Sequence, residues 1–115
     1  RPTISVTRQA FKAKVLQGKT FGNSPNFITM ERDATNPILR ALGTDGISYA
    51  TYAQVANQQT VRTVAIDGLT PEADSYPYQR VLYYVYQAPA NLEVKAFLGY
   101  ALSDQGHTAI SDYYL

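Results

Sequence analysis

The sequence predicts one mixed α/β domain over residues 1–115, and three observations carry that reading. Short β-prone runs alternate with helical patterns along the chain, one late segment has a full apolar helix face, and Gly- or Pro-bearing turns divide the segments. At 115 residues and 45% hydrophobic, the chain has the length of a single domain with one core.

In order along the chain, Ile4-Ser5-Val6 reads as a short strand. Thr7 then caps a helix that runs through Ala10, Phe11, Val15 and Leu16 and ends at Gly18. A loop from Lys19 to Pro25 precedes a strand at Asn26-Phe27-Ile28-Thr29-Met30, which delivers Glu31, Arg32 and Asp33 to its end. Thr35 or Asn36 caps the next helix, with Pro37 at its first position, Ile38, Leu39 and Leu42 as its apolar face, and Gly43 as its stop. Asp45-Gly46 is a turn, Ile47 to Ala50 a strand, and Tyr52 to Ala56 one or two helical turns. Thr60 to Ile66 alternates as a strand and closes at Asp67-Gly68.

The last third holds the clearest helix. Val94, Phe97, Leu98, Ala101 and Leu102 share one helical face, Asn91 stands at the N-cap, and Glu93 suits the positive end of the dipole. The expectation is that Val94, Phe97, Leu98 and Leu102 pack this helix on the sheet. Ser103 ends it and caps a second helix through His107, Ala109 and Ile110. Val81 to Tyr86 reads as a strand with Leu82, Tyr84 and Tyr86 on one face and Val81, Tyr83 and Val85 on the other. It is either a central strand buried on both sides or an aromatic contact surface.

Composition removes several function classes. A net charge of +1, with 17% charged residues and no basic run, gives no electrostatic footprint for nucleic acid. Without cysteine there are no disulfides, thiolate metal ligands or Cys nucleophiles, and the single His107 lacks a second ligand of its kind. Ser103, His107 and Asp112 make a triad only on paper, because no nucleophile elbow accompanies them and they fall on one short helical segment. Gly18-Lys19-Thr20 lacks the first glycine of a P-loop and follows a helix instead of a strand. No enzyme and no cofactor are expected. No apolar stretch approaches the length of a membrane span and no signal-peptide core precedes Arg1, so the chain is expected to be a mature protein or an excised piece.

The order of parts in the last third resembles a known family. Tyr76-Pro77-Tyr78-Gln79-Arg80, the aromatic run after it, the Val94-Lys95-Ala96-Phe97-Leu98 helix and Leu102-Ser103-Asp104-Gln105-Gly106 are similar to the C-terminal part of phosphate-type (PstS-like) periplasmic substrate-binding proteins. Gly46 to Ala50, Val61 to Gly68 and Thr7 to Gly18 resemble further segments of the same family, in the right order. The resemblance implies one lobe of a type II periplasmic binding protein, in the periplasm or otherwise extracytoplasmic, that binds a small oxyanion such as phosphate or sulfate for an ABC transporter.

In that family an Arg followed by Ser-Gly-Thr at a helix start holds the anion. By position the resemblance assigns Arg32, Thr35 and Asn36 to that role, although Asn36-Pro37-Ile38 replaces the Ser-Gly-Thr and Pro37 removes an amide donor. The bland alternative is a solvated loop in front of a capped helix. The first lobe is missing, so the chain is a fragment or a degenerate relative, and its expected partners are that lobe, a transporter permease or a second copy of itself. Tyr76, Tyr78, Arg80, Tyr113 and Tyr114 are the candidate interface. The other function class is a stand-alone extracytoplasmic interaction or sensory module that has lost the ligand.

Overall fold

The computed structural model describes residues 1–111 and divides the chain into two units, Arg1–Gln79 and Arg80–Leu115. The described residues contain four α-helices, α1 Val6–Lys14, α2 Thr35–Ala41, α3 Leu92–Ala101 and α4 Asp104–Ile110, together with a 3-10 turn at Tyr52–Gln54. They contain no sheet; the sole β element is one isolated antiparallel bridge between Ile66 and Leu69. The expected mixed α/β domain is therefore corrected to a small helical fold with long irregular connections.

The reason differs from run to run. Ile4-Ser5-Val6 is not a strand because Ser5 is the N-cap of α1. Its backbone is extended and its hydroxyl accepts from the Arg8 N–H at 3.2 Å, a role expected of Thr7. At Asp67-Gly68 both residues have positive φ, 51° and 76°, as a two-residue type I′ hairpin turn requires. Ile66 and Leu69 exchange both backbone hydrogen bonds at 2.9 Å. The next hydrogen-bonded rung would pair Val64 with Pro71, and Pro71 has no N–H to give, so the ladder stops after one rung. The runs at 26–30, 47–50 and 81–86 have the side chains of strands without a neighbouring strand among the described residues.

In unit one, α1 carries Lys12 and Lys14 in its last turn, where cations suit the negative end of the dipole, and it closes with Gly18 N–H donating to Lys12 C=O at 2.9 Å. Its Phe11 ring stacks on Tyr49 with centroids 4.1 Å apart and planes 12° from parallel. Phe21 lies 6.0 Å from Phe11, and Arg8 sits 3.9 Å over the Phe21 ring. Ile38 of α2 is the buried aliphatic residue of this unit.

In unit two, α3 and α4 pack together around Ser103 and Gly106. Asn91 Oδ1 caps α3 by accepting from Val94 N–H at 2.8 Å, as its sequence position predicts. Ser103 Oγ accepts from Gly106 N–H at 3.2 Å and donates to Tyr100 C=O, so one hydroxyl ends α3 and starts α4. A Cβ on buried Gly106 would collide with the carbonyls of Tyr100 and Ala101, the latter at 2.7 Å. The Leu-Ser-x-x-Gly pattern thus has a local cause, a serine cap and a glycine that lets two helices approach.

The predicted α3 packing is corrected in part. Ala101 is buried, and Val94 and Leu98 are half-buried, but Phe97 and Leu102 are 56% and 62% exposed because no sheet lies against them. Phe97 has one described ring neighbour, an edge-on contact with Tyr84 at 5.8 Å.

Two substitutions check this packing. Gly106→Ala is expected to destabilise unit two by on the order of 1–3 kcal/mol, as overpacking against fixed carbonyls does, visible as lost helical signal in thermal melts. Phe97→Ala should cost only about 1 kcal/mol, because half the ring is already in water and the edge-on pair contributes about 0.5–1.5 kcal/mol; a loss of about 3–5 kcal/mol, typical of a buried Phe, would contradict the exposed position.

Candidate functional site

The best-ordered polar cluster lies in unit one and is centred on Arg1. Its side chain is 4% exposed. Nη1 donates to Asp33 Oδ1 and Nη2 to Thr35 Oγ1, both at 2.8 Å, while Nε reaches Tyr49 C=O at 3.4 Å. Arg8 Nη1 donates to the Arg1 carbonyl at 3.0 Å. Thr35 passes its own proton to Gln54 Oε1 at 2.7 Å. The Arg1 hydrogen bond holds the Asp33 carboxyl below the ordinary carboxylate range, assisted by Ser5, which is fully buried.

Beside this cluster, Ala34, Thr35, Asn36, Pro37 and Gln54 line a concavity at the start of α2. Of the residues assigned to an anion site, Thr35 and Asn36 are brought there, whereas Arg32 is exposed and is not part of the lining. Arg1 takes up the Thr35 hydroxyl instead. The chemistry of the concavity is only weakly suited to an anion. Thr35 has spent its proton on Gln54, Ala34 gives the helix no side-chain cap, and Pro37 contributes no N–H. Asp33 adds a carboxylate to the cluster, and the Arg1 guanidinium is already committed.

Arg1, Asp33 and Gln54 have no sequence signal that would have joined them. The bonds that join them span 32 residues from Arg1 to Asp33 and 19 from Thr35 to Gln54, and only the fold closes them. The same holds for Tyr52, whose hydroxyl donates to the Glu72 carboxylate; that bond raises the tyrosine's pKa and lowers the glutamate's, and both groups are solvent-exposed. The Tyr49 hydroxyl is buried without a hydrogen-bond acceptor or donor among the described residues, and burial pushes its pKa up.

The candidate interface residues belong to both units. Tyr76 and Tyr78 form a T-shaped pair at 6.1 Å within unit one, with Tyr76 half-buried, while Arg80 begins unit two and is partnered. Tyr113 and Tyr114 lie outside the described residues, as does Asp112. The 81–86 run shows a feature that its sequence only suggested. Exposure alternates with period two, at 70, 80 and 92% for Val81, Tyr83 and Val85 against 54, 44 and 51% for Leu82, Tyr84 and Tyr86. The second set lies on the side that includes the Tyr84 contact with Phe97 of α3, and the first set is bare.

Among the described residues no group of three His, Asp or Glu side chains could hold a metal ion, and no helix is long and apolar enough to cross a membrane. No protein-family model matches the chain, and neither the curated proteins nor the solved structures provide a match to it.

Asp33 generates a pH-dependent expectation. Its depressed pKa means that its contribution to stability is present above the ordinary carboxylate pKa of about 3.9 and is lost as pH falls through the lower folded value. Asp33→Asn should cost at most about 1 kcal/mol near pH 6, because the Asp33 side chain is 35% exposed and solvent screens its pairing with Arg1. The difference from wild type should shrink below about pH 3.9 in urea titrations; a difference that is the same at pH 6 and pH 3 would rule out this ion pair as its source.

Proposed function

We propose that the chain is a non-catalytic interaction module that binds another polypeptide through its second unit. The single observation behind this reading is the bare face of the 81–86 run, where Val81, Tyr83 and Val85 stand in water beside a partly exposed α3. Water contact at a valine forgoes roughly 1.5–3 kcal/mol relative to full burial. A partner surface that covers Val81 and Val85 recovers that energy, and Tyr83 adds a rigid aromatic anchor with a polar tip. Tyrosine-rich surfaces without a deep cavity suit contact with protein more than capture of a small molecule.

Site-specific photocrosslinking in the intact protein tests this. A photoreactive residue at Tyr83 should give one discrete polypeptide adduct, while the same residue at exposed Lys14 should not. If Tyr83 gives no adduct with any polypeptide, its own copies included, the proposal fails. Tyr83→Ser together with Val85→Lys should weaken the captured complex at least about tenfold, the equivalent of losing one contact of about 1.4 kcal/mol, without shifting the thermal midpoint, because both side chains are exposed.

A second reading, capture of a small oxyanion at the start of α2, is supported by one observation: Thr35 and Asn36 line the same concavity. With the Thr35 proton and the Arg1 donors engaged, affinity for phosphate or sulfate should be millimolar or weaker, near −4 kcal/mol. Micromolar affinity in calorimetric titration that disappears in Asn36→Ala, and also in Arg32→Ala, would favour this reading over the first.

A further inference from the structure

We draw no further inference here: the strongest candidate, the outward face of the 81–86 run formed by Val81, Tyr83 and Val85 in unit two, is an unpartnered apolar face already used for the proposed function, and nothing in the structure shows what covers it.

Discussion

The Arg1 guanidinium spends its donors on two separate stretches of unit one: the Asp33 carboxylate and Thr35 hydroxyl at the start of α2, and the Tyr49 carbonyl. Through Arg8, which returns a hydrogen bond to the Arg1 carbonyl, α1 is tied to the same point. With so few fully buried apolar side chains, hydrophobic burial alone has little to work with here. A planar, permanently charged fork supplies direction as well as attraction, which a point-like ammonium in its place would not. The Phe11, Phe21 and Tyr49 rings close one side of this arrangement, and Arg8 joins it to them by lying over Phe21.

Such a centre has a characteristic weakness. Arg1 is buried while its Asp33 partner is open to water, so a lost partner leaves the Arg1 guanidinium as the desolvated group. Unit one therefore depends on contacts made across dozens of residues, whereas the helix pair of unit two depends on neighbours in sequence. Asn91 caps α3, Ser103 joins α3 to α4, and Gly106 permits their close approach, all within a stretch shorter than two ordinary helices.

That contrast explains what was legible in the sequence. Asn91, Ser103 and Asp67-Gly68 were readable because capping and turn chemistry act within three or four residues, whereas the N-cap of α2, expected at Thr35 or Asn36, falls on Ala34, which makes no side-chain cap. The strands were not, since a strand exists only with a partner and alternation in one run says nothing about whether a second lies beside it. Pro71 shows how one residue decides the matter, by denying Val64 its hydrogen-bonding mate. The family resemblance in the last third followed the cap and glycine pattern, which the helix pair accounts for locally without a surrounding lobe. Of the residues assigned to the site, Thr35 and Asn36 line the concavity at the start of α2 and Arg32 does not. Arg1, which hydrogen-bonds the Thr35 hydroxyl, had no signal beyond its charge.

The run from Val81 to Tyr86 contains no charge, no proline and no glycine, and every residue in it but Leu82 is of a β-favouring type. Six such residues in water, next to a helix too short to cover them, are a template for cross-β stacking. The face assigned to a partner under the proposed function thus also has the sequence character of a cross-β segment, and a partner seated on it would shield that segment. Under the proposed function, partner binding and cross-β propensity draw on the same three outward side chains, so a substitution at Val81, Tyr83 or Val85 is expected to change both.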